Sequence, residues 1–416
     1  MKKIILLSYL ISSFCSLLLA QNGSSIVTPE SVGISSERLE KLDAVMTSMV
    51  DEGKIAGVQT AISRKGKLIH YNTYGKSDLE SNSPLSENSL WRIYSMTKPI
   101  ASVGLMMLYE DGKFQLNDPL EKYLPEFKEM QVYHGDGVIK PAMNQIKVID
   151  ILRHTTGLGY GWSGGYVDSL YAGASRRSAV DNAAFTQALV KLPLYSEPST
   201  GWRYSVSTDV VGRLIEVLSG MSLDQYLSQK ILGPLKMEDT FFEVPDEKED
   251  RFVTTYAPKK EGGLRPIDHP STSRYTKTVT MFSAGGGMVS TTDDYLRFCQ
   301  MLLNGGILDG ARILSPKTIE LMTKDHCKDI PYAGGPVVLP APGKGFGLGF
   351  SVVTDLADTG ILGSEGTYGW GGAAGTFFRI DPEEDLIYIM MIQLMPNNHL
   401  QASSKFQTMV YQAIID

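Results

Sequence analysis

The spacing of apolar residues along the chain changes several times. Over 35–50 (SSERLEKLDAVMTSMV) apolar positions recur at helical spacing behind a serine, which predicts an N-capped amphipathic helix. Over 57–74 (GVQTAISRKGKLIHYNTY) apolar and polar residues alternate around Arg64-Lys65-Gly66, the pattern of a β-hairpin. Residues 91–111 (WRIYSMTKPIASVGLMMLYED) return to a helical period, with Ile100, Val103, Gly104, Met107 and Leu108 forming the buried face. Shorter helical pieces follow at 116–127, 149–153, 185–191 and 210–217, broken by Pro and Gly. Strand patterns return at 287–290 and strengthen at 345–353, 374–380 and 386–394, before a last helix from about 400 to 415. Strands at both ends around a helical middle predict an α/β fold of the α+β type. One sheet is expected from 21–90 and 281–416, with 91–280 inserted as a mainly helical domain.

The first twenty residues do not belong to that fold. Lys2-Lys3 precedes an apolar run that ends at Ala20, the layout of a secretory signal peptide cleaved near Ala20. Phe14 before Cys15 argues against lipoprotein processing. The mature protein is therefore expected to be exported, periplasmic or extracellular, with no stable membrane insertion, since no later stretch is long and apolar enough to span a bilayer. A formal charge of −7 without a basic stripe argues against a nucleic-acid partner. Beyond the signal segment only Cys299 and Cys327 remain; an oxidising compartment permits a bridge between them, but two cysteines make no disulfide framework. The six histidines are scattered, so neither a metal nor another cofactor is expected.

The chemistry concentrates at Ser95-Met96-Thr97-Lys98. Three residues of helix turn the chain by roughly 300°, which brings the Ser95 hydroxyl and the Lys98 amine to one face at a helix start. Unsatisfied N–H groups and the positive end of the macrodipole meet there. A serine hydroxyl is a poor nucleophile until a neighbouring base takes its proton, and a desolvated lysine can do so. The same four residues also suit a helix-capping serine followed by a solvated lysine.

Further motifs decide between these readings. His154-Thr155-Thr156-Gly157-Leu158, Tyr204-Ser205 after Gly201-Trp202, Ser283-Ala284-Gly285-Gly286-Gly287 and Gly369-Trp370-Gly371-Gly372-Ala373 follow Ser95-Met96-Thr97-Lys98-Pro99 in order. In that order they resemble the serine β-lactamase and penicillin-binding-protein superfamily, in its class C-like branch, nearest to family VIII carboxylesterases. The resemblance implies an antiparallel sheet flanked by helices, with the active site between the sheet and the helical domain. It implies Ser95 as the acylated nucleophile, Lys98 as the group that activates it and Tyr204 as the second base. Tyr204 can act so only where a cation such as Lys98 stabilises its phenolate. The oxyanion would be held by the N–H groups of Ser95 and Ala373. Gly371 and Gly372 let a substrate approach the backbone beside Trp370.

Two departures from the family pattern bear on substrate. Val206 stands where β-lactamases of this branch carry the Asn of Tyr-x-Asn, and Trp370 stands where they carry the Lys of Lys-Thr-Gly. Both replace polar recognition by apolar surface, which favours neutral esters over carboxylate-bearing β-lactams and D-Ala peptides. Asp209 is read either as a substitute for that Asn in holding the loop or as a helix N-cap. Gly161-Trp162-Ser163-Gly164-Gly165 matches a nucleophile elbow, but no strand precedes it, so Tyr160 and Trp162 are read as lining the cleft instead. His154 is read as structural, bonding backbone at the loop base. The expectation is a secreted serine carboxylesterase acting on a small-molecule ester or amide through an acyl-enzyme. The alternatives are a β-lactamase or D-Ala carboxypeptidase of the same fold, and a non-catalytic cell-wall-binding or sensor protein. Oligomeric state is not encoded in any pattern found.

Overall fold

A computed structural model describes residues 26–162, 164–173 and 179–416. The expected signal segment and Ser163 lie outside the described residues. The principal sheet takes three strands from the N-terminal part, β1 (Gly57–Arg64), β2 (Lys67–Asp78) and β3 (Ser83–Pro84). Five more come from the C-terminal part: β4 (Lys344–Phe346), β5 (Ser351–Val353), β6 (Tyr368–Gly371), β7 (Phe377–Asp381) and β8 (Leu386–Met391). The spatial order is β4-β5-β6-β7-β8-β1-β2-β3, and every pairing is antiparallel. The hairpin between β1 and β2 turns at Lys65 (φ 51°) and Gly66 (φ 70°), the left-handed pair that a two-residue turn demands.

Side-chain alternation assigns the faces of this sheet. In β8, Leu386, Tyr388 and Met390 join α1 (Ser36–Asp51) and the C-terminal helix on one side, while Ile387, Ile389 and Met391 join the central core on the other. The first face packs Tyr388 against Phe406 of the helix Ala402–Tyr411, ring centroids 5.9 Å apart. The second packs Phe378 against Tyr295 of the helix Thr292–Leu303, at 5.0 Å. Ser35 caps α1 as expected, accepting from the Arg38 N–H.

Several expectations need correction. The strand expected at 287–290 reduces to Val289–Ser290, which pairs with Trp91–Arg92 in a separate two-stranded ribbon and not in the sheet. The run 345–353 is two strands, because Gly349 (φ 98°) turns the chain between them. Ala374 belongs to a turn before β7, not to the strand. The helical region also carries two ribbons absent from the sequence reading, Gln131–Tyr133 with Ile139–Pro141 and Thr255–Pro258 with Leu264–Asp268. Cys299 and Cys327 are both buried and free, so the permitted bridge does not form. Among the described residues no helix is long and apolar enough to cross a membrane.

Candidate active site

Ser95 sits in a 3-10 turn, Tyr94–Met96, that runs directly into α2 (Thr97–Glu110). It therefore precedes the α-helix rather than lying in its first turn, as the motif spacing suggested. Tyr94 holds a left-handed φ of 43°, a conformation that costs a non-glycine residue about 1–3 kcal/mol and persists only where its surroundings enforce it. The enforcement is visible. The Tyr295 hydroxyl donates to the Met96 carbonyl (2.9 Å), and the Met288 N–H donates to Thr97 Oγ1 (3.1 Å). Residues Thr97 to Met106 of α2 are all buried, so the turn stands on a rigid base. Lys98, 1% exposed, donates from Nζ to Ser95 Oγ at 3.2 Å and also to the Gly285 carbonyl.

Tyr204 approaches from a second segment. Its hydroxyl donates to Ser95 Oγ at 2.7 Å, and its ring lies 4.8 Å from Lys98 Nζ. That placement is built by zipping 154–159 to 203–207: Arg203 N–H to His154 O (2.9 Å), Thr156 Oγ1 with Ser207 Oγ (2.8 Å), and Val206 N–H to Gly159 O (3.4 Å). Gly157 (φ 81°) is required here, since a Cβ would stand 2.3 Å from the Ser196 carbonyl oxygen. Fully buried Asp150 pins both ends, accepting from Thr155 Oγ1 (2.6 Å), Ser199 Oγ (2.8 Å) and Arg153 (3.0 Å).

His154 closes the back of the site. It lies 4.8 Å from the Tyr204 ring and 5.4 Å from that of Phe346, with Nδ1 3.4 Å from Ser205 Oγ. Burial, reinforced by the Lys98 charge, holds its pKa well below the usual imidazole value. It is structural, as expected, but its side chain bonds a hydroxyl and not the backbone.

The third wall is β6. The Trp370 indole N–H donates to the Tyr204 hydroxyl at 3.3 Å, and the ring packs on Tyr204 and Phe346. Trp370 is thus more than an apolar stand-in for a lysine. At Gly372 a Cβ would meet the Ile93 carbonyl at 2.6 Å, so this glycine lets the strand end close on the turn that carries Ser95. The N–H of Gly372 donates to Thr376 O (2.7 Å), and Asn397 Nδ2 holds the Ala373 carbonyl (2.9 Å). Among the described residues, the Ser95 and Ala373 N–H groups donate to no protein acceptor.

These walls enclose a cavity of about 450 Å³ lined by Ser95, Tyr160, Trp162, Val206, Gly285 and Ala373 among others. Tyr160 and Trp162 stack at 4.1 Å on its rim, so both cleft residues expected from sequence are there. Asp209 holds the loop: its carboxylate accepts from Ser283 Oγ (2.5 Å) and the Gly285 N–H (3.1 Å), while the helix Ser207–Ser219 takes Val206 as its N-cap. Three contributors escaped the sequence reading: the Gly285 carbonyl that receives Lys98, buried Asp150, and Arg274 on the cavity wall. The Gly285-Gly286-Gly287 run signalled a close approach, but nothing singled out one carbonyl within it.

Comparison with known proteins accords with this geometry. The Beta-lactamase family model matches residues 42–408. An uncharacterised protein of Mycobacterium tuberculosis is 35% identical over 379 residues, covering 88% of this chain and 92% of the relative. Esterase EstB of Burkholderia gladioli is 28% identical over 362 residues, covering 82% and 86%. Among solved structures, EstCE1, described as a hydrolase with promiscuous acyltransferase activity, superposes with a TM-score of 0.77 at 26% identity over 90% of this chain and 98% of its own. The chain belongs to the Beta-lactamase family and has the β-lactamase/transpeptidase-like fold of a serine hydrolase.

Proposed function

We propose that the protein is an exported carboxylesterase working through an acyl-enzyme on Ser95. The observation that carries the reading is Ser95 Oγ held between Lys98 Nζ at 3.2 Å and the Tyr204 hydroxyl at 2.7 Å, in a turn that opens into the cavity. In acylation the Ser95 proton passes to the Lys98–Tyr204 pair as Oγ bonds to the ester carbonyl carbon. The carbonyl oxygen becomes an oxyanion facing the N–H groups of Ser95 and Ala373. When it collapses, the C–O bond to the alcohol breaks and Tyr204 returns the proton to the departing oxygen. A water, deprotonated by the same pair, then attacks the acyl carbon and frees the acid and Ser95. The Trp370 indole N–H, 3.3 Å from the Tyr204 oxygen, favours negative charge there while that proton is away.

Ester over β-lactam is supported by what faces the nucleophile. Val206 and Trp370 bring no cation and no carboxamide to the positions where a β-lactam's carboxylate and amide would be met. Similarity to an esterase and to a hydrolase with acyltransferase activity agrees. An alcohol admitted in place of water would resolve the same acyl-enzyme by transfer.

The test is intact-mass analysis of the exported protein after treatment with a neutral alkyl phosphonate ester, alongside rates on 4-nitrophenyl butanoate and nitrocefin. Expected are a mass consistent with cleavage near Ala20, one covalent adduct, and ester turnover exceeding nitrocefin turnover. Ser95→Ala should lose adduct and turnover with unchanged folding, and Ser163→Ala should keep both. An adduct surviving Ser95→Ala would sink the assignment, and dominant nitrocefin cleavage would move it to a β-lactamase.

A further inference from the structure

Arg274 stands apart from Ser95, Lys98 and Tyr204 yet shares their cavity. It lines the 450 Å³ space that holds Ser95 and also an adjoining recess of about 150 Å³ bordered by Phe242, Val279 and Met281. Among the described residues on these walls it is the only charged side chain. Its guanidinium is fixed in place. It donates to the Tyr275 hydroxyl at 3.0 Å and lies 4.8 Å from that ring's centre. Tyr275 donates in turn to the Gly286 carbonyl at 3.1 Å, one residue from the carbonyl that receives Lys98. The arginine is therefore tied to the frame of the reacting centre.

Among the described residues no carboxylate lies within ion-pair distance of Arg274. Asp268, whose field reaches it, is already gripped by Arg92 through both carboxylate oxygens at 2.9 Å. Arg274 is exposed on the wall of a cavity of mixed polar and apolar lining, and a guanidinium held by one phenol, with no described carboxylate within ion-pair distance, keeps its planar donor fork for a ligand. The position facing Trp370 offers no such group, so a substrate anion recognised here lies away from the scissile bond.

We propose that Arg274 is a specificity-determining residue that binds a carboxylate carried by the ester substrate at a distance from its reacting carbonyl. This rests on the acyl-enzyme reading of Ser95. The substrate class becomes a half-ester or acid-bearing ester, neutral at the scissile group and anionic at one end.

Three probes test it: neutral 4-nitrophenyl butanoate, 4-nitrophenyl hydrogen glutarate with its carboxylate on the acyl side, and 4-(butanoyloxy)benzoate with its carboxylate on the alcohol side. For at least one anionic probe, Arg274→Gln should lower the ratio of its kcat/KM to that of the neutral ester by roughly tenfold, mainly through KM. Arg274→Lys should recover part of the loss, and the affected probe identifies the side that carries the anion. Unchanged ratios for both anionic probes in Arg274→Gln would overturn the inference and leave the esterase reading standing. If wild type is labelled at Ser95 by the phosphonate but cleaves neither anionic ester, the inference falls alone. If wild type is neither labelled nor active on any probe, the esterase reading falls and takes the inference with it.

Discussion

The Tyr204 hydroxyl has two hydrogen-bonding neighbours of opposite consequence: Ser95 Oγ at 2.7 Å, whose proton it would take, and the Trp370 N–H at 3.3 Å, which supports the charge left behind. Trp370→Phe keeps an aromatic ring against Tyr204 and Phe346 and removes that donor. It should lower kcat on 4-nitrophenyl butanoate by roughly tenfold with KM little changed, because a hydrogen bond that strengthens with developing charge acts mainly in the transition state. A change confined to KM would mean that Trp370 serves as cavity wall alone. At this scale Ser95, Lys98 and Tyr204 were readable because their order along the chain is distinctive. The direction of an indole N–H is not, since the same tryptophan fits an apolar wall equally well. Arg274 was silent for a similar reason: one surface arginine in a loop looks like any other until the cavity beside it is seen.

Elements do the positioning. The helix Ser207–Ser219 places Asp209 so that one carboxylate oxygen holds both the Ser283 hydroxyl and the Gly285 N–H, and Gly285 in turn receives Lys98. Asp209→Ala would leave two buried donors without that acceptor and should lower unfolding free energy by about 2–4 kcal/mol in urea titrations. Turnover should fall further than Asp209→Asn causes, since the amide oxygen retains an acceptor. A fully stable Asp209→Ala protein would show that the glycine loop is held by other means. The longer regular elements, α1, the β1–β2 hairpin and β8, were legible from periodicity. The short ones were not: β4 and β5 merge in an apolar run whose turn depends on one glycine, and Val289–Ser290 pairs outside the sheet for reasons of tertiary placement.

For the molecule as a whole, two buried histidines and one half-buried histidine contribute to the pH response. His70, His154 and His326 all have pKa values pulled below the usual imidazole range, chiefly by burial. The unfolded chain therefore binds protons below about pH 6.5 that the folded chain refuses. Their contribution is complete above that pH and is lost as pH falls through it, by at most about 1.4 kcal/mol per pH unit for each histidine. Asp294 works in the opposite sense. Burial pushes its pKa up to about 6, so its contribution is greatest below 3.8 and fades as pH rises through 6. Burial raises Asp293 and Glu216 in the same sense, so the histidine contribution is read by comparison: the change in urea unfolding free energy from pH 5.5 to pH 7 should be less positive in His70→Gln than in wild type, and an unchanged difference would contradict the assignment. The sheet assembled from both ends of the chain was legible from where strand patterns stop and resume.

That same assembly has a kinetic consequence. Ser95, Tyr204, Gly285 and Trp370 meet at one point although long loops separate each from the next, and the strand end at Gly372 closes directly on the turn that carries Ser95. No single local segment contains a working site. Each of these loops must close against its own entropy before the contacts that reward closure exist. A chain folding from an extended state thus gains helices and hairpins early and a complete site last, so a brief window separates a compact protein from one with its site assembled.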